Sequence, residues 1–179
     1  MTSGIWNLKF VIAFALLLLL GSHAQAQQPT LKESLDWLSS QLTSHASFSL
    51  GSGSTAYSQT FEPLSFNSCD LKWRINHQNS WSNEIGIEEY SVDAGAIQTD
   101  QIVTINANSP RPWILELRAK DGFHYQDVTK VGAIERRGKI DNPASIRFMF
   151  AETDKDLLPR LTKAFTRAAE LCRERKEPF

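Results

Sequence analysis

Little in these 179 residues points to a charged or catalytic partner. Lys+Arg 19 stand against Asp+Glu 20, a formal net charge of −1. The short basic groups, "ERRGK" at 135–139 and "RERK" at 173–176, are interleaved with or flanked by Glu and read as solvated loop or helix ends. No field is left to attract a polyanion, so nucleic acid is not an expected partner. The Gly51-Ser52-Gly53-Ser54 stretch has neither the G-x-x-x-x-G-K spacing nor a helix directly after it, which excludes a phosphate-cradling loop. No G-x-S-x-G or similar stretch sets a serine on a nucleophile elbow. There is no internal repeat, no cofactor signature and no metal motif, and the chain holds only two cysteines.

A long hydrophobic run is lacking as well. The longest, residues 10–20, has 11 positions, well short of the roughly 20 that a membrane-spanning helix requires. It follows Lys9 and precedes "GSHAQA", the pattern of a secretory signal cleaved after Ala24-Gln25-Ala26. Residues 1–26 are therefore assigned to a signal peptide and 27–179 to one soluble domain, secreted or periplasmic, with no stable membrane insertion after cleavage. No cysteine near the cleavage site could carry a lipid anchor. Removing the signal, whose one charged residue is Lys9, leaves Lys+Arg 18 and Asp+Glu 20, a net −2 over 153 residues. A chain of that length can bury a core without the help of disulfides.

What is present is periodicity. Thr30 and Glu33 have capping-box spacing, and Leu31, Leu35, Leu38 and Leu42 recur at steps of four, three and four, predicting a helix over 30–43 with one apolar face. Trp37 widens that stripe. Residues 44–56, rich in Ser and Gly, read as a flexible linker. From 57 to 150 the period becomes two. Cys69, Leu71, Trp73 and Ile75 alternate with Asp70, Lys72, Arg74 and Asn76. Trp113, Leu115, Leu117 and Ala119 alternate with Glu116, Arg118 and Lys120, and Ile146, Phe148 and Phe150 share one side of a third strand. Weaker strands are expected at 57–61, 85–92, 102–107 and 123–128, with a short one at 133–135. The apolar step from Ile87 to Tyr90 suggests a bulge or turn. "NSPRP" at 108–112 and Lys120-Asp121-Gly122 carry turn chemistry, and such short joints favour antiparallel pairing.

The last element is a helix over 156–173. Asp156 is its N-cap, and Pro159 falls in the first turn, where a missing N–H costs nothing. Leu157, Leu161, Phe165, Ala168 and Cys172 form its buried stripe. Cys69 and Cys172 thus both point at one core, and in an oxidising compartment they are expected to form a disulfide. Closing a loop of about 100 residues, it should contribute somewhat over 4 kcal/mol in the chain-entropy account. The competing reading is two buried thiols.

The chain is accordingly α+β: an antiparallel barrel or roll of six or seven strands between an N-terminal helix and a C-terminal capping helix. That order resembles a pleckstrin-homology-like barrel over residues 57–172. "TLKESLDWL", the "FNSC" entering a strand and the terminal "LCRERKEPF" also resemble uncharacterised secreted bacterial proteins. The first resemblance implies binding rather than catalysis. The phosphoinositide site of such domains is not implied, because the connection "EPLSFNS" holds no basic residue. Peptide binding in a groove between a late strand and the C-terminal helix is implied, with Arg147 on its rim.

The expected function is therefore a non-enzymatic binding module for a protein, peptide or small apolar ligand. A loop tryptophan, Trp81 in "HQNSWSNE", either anchors a partner or folds back onto the barrel. The alternative is a small hydrolase using His124 with Asp121 and Asp127 in "DGFHYQD", where the other reading makes Asp121 a turn former and the remaining two solvated edge residues. Glu88 and Glu89 are a poor catalytic pair because neighbours on a strand point to opposite faces. A structural envelope subunit is a third reading.

Overall fold

The computed structural model describes residues 29–53, 56–80, 84–105, 113–131, 134–151 and 156–176; Trp81, residues 1–26 expected to be a signal peptide, and "NSPRP" lie outside them. The first helix, α1, runs Leu31–His45 and opens with the expected reciprocal cap. The amide of Thr30 donates to the Glu33 carboxylate at 2.8 Å, and the amide of Glu33 donates to the Thr30 hydroxyl at 3.3 Å. All four stripe leucines are buried. Lys32 pairs with Asp36 on the solvent side at 2.5 Å.

The segment expected to be a linker contains a strand, β1 (Phe48–Leu50), paired antiparallel with β2 (Tyr57–Ser65). Two side-chain bonds fasten it where a Ser-rich composition suggested freedom. The Gln59 amide donates to the Ala46 carbonyl at 2.9 Å, and the Phe61 amide donates to the Ser47 hydroxyl at 2.9 Å. Next come β3 (Asp70–Asn79) and β4 (Glu84–Asp93). Two single-turn 3-10 segments follow, Ala94–Ala96 and Thr99–Gln101. The remaining strands are β5 (Val103–Ile105), β6 (Trp113–Arg118), β7 (His124–Val131), β8 (Ile134–Asp141) and β9 (Ser145–Phe150).

Nine strands among the described residues, rather than six or seven, form two antiparallel sheets, one ordered β1-β2-β3-β4-β7-β8 and one β5-β6-β9. Among the described residues no ladder joins the two, so a closed barrel is not observed. The turn at Lys120-Asp121-Gly122 carries the chain from the small sheet to the large one instead of making a hairpin. Its Gly122 has φ 75°, and a side chain there would press on the carbonyls of Asn142 and Pro143 at 3.1 and 3.2 Å.

β4 runs without a register break against both β3 and β7, so the expected bulge at 87–90 is not there. The odd apolar step has another cause: Ile87 lies on the outer face, buried with its cross-strand partner Val128, while Tyr90 lies on the inner face beside Trp73. The bulges sit at Pro63–Ser65 in β2 and where β7 meets β8.

The second helix, α2 (Leu157–Lys176), starts where Pro159 allows, the Arg160 amide donating to the Asp156 carbonyl at 3.2 Å. Its stripe of Leu157, Leu161, Phe165, Ala168 and Cys172 is buried. The cysteines form the expected disulfide, with Cα atoms 5.6 Å apart across 103 residues. Arg173, read from sequence as solvated, donates to the carbonyls of Gly95 and Ile97 at 3.0 and 2.7 Å. The end of α2 is thereby fastened to the first 3-10 segment, just as the disulfide fastens it to the start of β3.

Candidate functional site: a groove between the two sheets

The inner face of β6 and β9, with Leu115, Leu117, Ile146, Phe148 and Phe150, packs over β2 and β3. Phe148 contacts Phe61 and Trp73 at centroid distances of 6.0 and 5.5 Å. On β4 the core still takes in Val92, opposite Leu71, and then the cover stops. β9 is the last strand of its sheet, and between its free edge and the inner face of β4 and β7 lies a groove of about 540 Å³, flanked also by Asp141, Pro143 and Ser145.

Register assembles its floor. Trp73 stands opposite Tyr90, Tyr90 opposite Tyr125, and Tyr125 opposite Asp141. The three rings make a continuous rail from the closed core outward, stacked at 5.5 Å and then tilted at 5.1 Å. The adjacent line across the same face runs Ile75, Glu88, Asp127, placing two carboxylates directly opposite each other, an arrangement that costs stability when uncompensated. The Tyr90 hydroxyl donates to Glu88 at 3.0 Å. Tyr90 is pushed well above the ordinary phenol range, first by burial and then by the Glu88 charge. Burial also raises Tyr57 and Tyr125, and Glu88 is the next cause for each. One line further, the His77 imidazole lies over Gly86, where any β-carbon would collide with it.

Arg147 flanks the groove but is not free to neutralise it. Its Nε donates to Glu116 at 2.8 Å, and Arg118 reaches the other oxygen of that carboxylate at 3.5 Å. Glu116, expected on a solvated face, is only 6% exposed. The Arg147 guanidinium, followed by the weaker Arg118, holds its carboxyl below the usual range against the opposing effect of burial. The groove wall opposite Arg147 is sheet, not the C-terminal helix implied by the pleckstrin-homology resemblance.

His124 lies elsewhere, on the outer face opposite Ser91, lining a second cavity of about 370 Å³ with Asp70, Asp93 and Asp121. It is exposed, and no hydrogen bond orients its ring among the described residues, so the geometry of a general base held by a partner is missing. Asp127 points to the inner face, away from it. Among the described residues no three His, Cys, Asp or Glu side chains are arranged to hold a metal ion, and no helix is long and apolar enough to cross a membrane. Comparison with family models, curated proteins and solved structures finds no match to this chain.

Sequence reasoning missed Glu88, Tyr90, Tyr125 and Asp141 as a set. The signal for them was the Ile87-to-Tyr90 step, which marks a strand whose inner face turns polar partway along.

Proposed function

We propose that the protein is a secreted or periplasmic binding module without enzymatic activity, which takes a protein or peptide ligand in the groove between β9 and the inner face of β4 and β7. The observation that carries this reading is the open half of the large sheet. Aromatic and carboxylate side chains are laid out there in register beside a strand edge that has no partner among the described residues. The leader at 1–26 and the Cys69–Cys172 bridge support an extracellular or periplasmic address. A pleckstrin-homology-like relationship is kept as part of the proposal, supported by two antiparallel sheets capped by a C-terminal helix; the nine strands and the unjoined sheets differ from the expected closed barrel.

The test is purification from the native compartment followed by identification of the co-purifying molecule and by cross-linking. Cross-links from a co-purifying protein to Ser145, Tyr125 or Asp141 are expected. Cross-links confined to the His124 cavity, or turnover of a substrate that is abolished by His124→Ala, would displace this reading in favour of the hydrolase.

A further inference from the structure

We infer that the ligand of this groove is a basic, extended segment of a partner protein, which adds as a strand to the free edge of β9 and seats a lysine or arginine on Glu88 beside the Tyr90–Tyr125 pair. This deepens the binding-module reading and rests on it. Two independent features of the groove specify the two halves of the ligand.

The first is the edge. Among the described residues β9 pairs with β6 on one side only. Its other edge therefore presents alternate N–H and C=O groups along six residues, about 20 Å of extended chain. Edges of this kind are normally covered, shortened or charged. Ser145, Ile146, Arg147 and Met149 of β9 border the groove, and of these only Arg147 is charged. A segment lying in the groove would satisfy these backbone groups by strand addition, with main-chain bonds giving affinity and alternate side chains giving specificity.

The second is charge. Glu88 and Asp141 contribute carboxylates to the floor and rim, and Asp127 stands opposite Glu88 in the sheet register. Asp141 is partnered by Lys139 at 3.0 Å, and Arg147, which borders the groove, is engaged by Glu116. Glu88 has one oxygen on the Tyr90 hydroxyl and faces Asp127 across the strand pair. A cation beside these carboxylates relieves their repulsion and lies next to the Tyr90 and Tyr125 rings, a carboxylate-plus-aromatic seat that favours a lysine or arginine side chain. The phenols of Tyr57, Tyr90 and Tyr125 are held above their ordinary range first by burial and next by the Glu88 charge, so Glu88 acts on all three.

The test titrates the ¹⁵N-labelled protein with a short acetylated, amidated peptide alternating lysine with valine and threonine. Three comparisons accompany it: a glutamate-for-lysine peptide, a peptide N-methylated at alternate amides, and free lysine amide. Saturable shifts over 145–150 and in β4 and β7 are expected, weakened tenfold or more by Glu88→Gln and several-fold by Asp141→Asn. The glutamate and N-methylated peptides should not bind measurably. Equal binding of the glutamate peptide overturns the charge assignment. Undiminished binding of the N-methylated peptide, or equal binding of lysine amide, reduces the site to a cation pocket and overturns strand addition. Absence of saturable shifts with every probe overturns the inference, whereas the binding-module reading fails separately, if the native partner cross-links away from the groove. An unchanged amide spectrum of each variant before titration excludes misfolding as the cause, and self-association in place of peptide binding would make the occupant a second copy and overturn the inference too.

Discussion

The two halves of the large sheet carry the same kind of side chain on the same face and meet different fates. On β2 and β3, Phe61, Trp73 and Ile75 are sealed under β9 and the helices. On β4 and β7, Glu88, Tyr90 and Tyr125 continue the same register lines and are left half-buried in a groove. The sealed half is stapled three ways: by the disulfide, by Arg173 on the 3-10 carbonyls, and by the Arg160 guanidinium 5.2 Å over the Trp37 ring, which ties α2 to α1. Among the described residues the open half carries no disulfide and no cation stacked on a ring. Stability and recognition are thus divided along one aromatic rail, and the division can be tested at each end.

The largest effect belongs to the sealed end. Phe148 is 1% exposed and touches Phe61, Trp73 and Phe165. Phe148→Ala should cost about 3–5 kcal/mol in urea unfolding, against roughly 1 kcal/mol or less for Tyr125→Ala on the same rail. Equal losses would mean that the open half is as tightly packed as the closed one.

The disulfide is next. Reduction, or the paired Cys69→Ser and Cys172→Ser change, should lower unfolding free energy by about 2–4 kcal/mol, with the chain-entropy limit for so long a loop near 4.7 kcal/mol. Hydrogen exchange should then rise first in the last turns of α2 and in the 3-10 segment held by Arg173, while β4 and β7 keep their protection. Uniform acceleration would show that the staple supports the whole molecule and not only its sealed end.

These two ends were not equally legible in the sequence. Leu31 to Leu42 and Leu157 to Cys172 announce their buried faces because helical periodicity is local, and two inward cysteines need no knowledge of topology to be paired. Glu88, Tyr125 and Asp141 come from three strands, and only the pairing register brings them together. The same limit hid Glu116: alternation puts it on the outward face, and only the positions of Arg147 and Arg118 bury it there. Gly- and Ser-rich composition concealed β1 because its fastening bonds come from Gln59 and Phe61, more than ten residues away.

Glu116 gives a smaller effect at the border between the halves. Its folded-state ionisation is depressed by Arg147, so the ion pair stabilises above the unfolded carboxylate value, about pH 4.3, and that contribution is lost as pH falls through the lower folded value. Because Arg147 and Arg118 are more than half exposed or nearly so, the magnitude is discounted to about 1 kcal/mol. Glu116→Gln should lower stability by that amount at pH 7 and flatten the fall below pH 4; an unchanged acid limb would assign it to other carboxylates.

The smallest effect is expected farthest from the core. Every residue of β8 is exposed, including Ile134 at 61% and Ile140 at 58%, yet this strand is the outer edge of the large sheet. Its own sequence protects it. Arg136, Arg137 and Lys139 line it, and Gly138 and Lys139 together oppose the single residue Asp127, a two-for-one irregularity that bends the edge. The two isoleucines fall on either side of that irregularity, so Ile134 shares the inner face with Arg136 and Ile140 the outer face with Arg137, and they form no common patch. The double change Ile134→Ser and Ile140→Ser should therefore shift stability by no more than about 0.5 kcal/mol and leave the molecular mass in light scattering unchanged. A larger loss, or a change of mass, would mean that β8 is covered in solution, and the open flank would then begin at β9 alone.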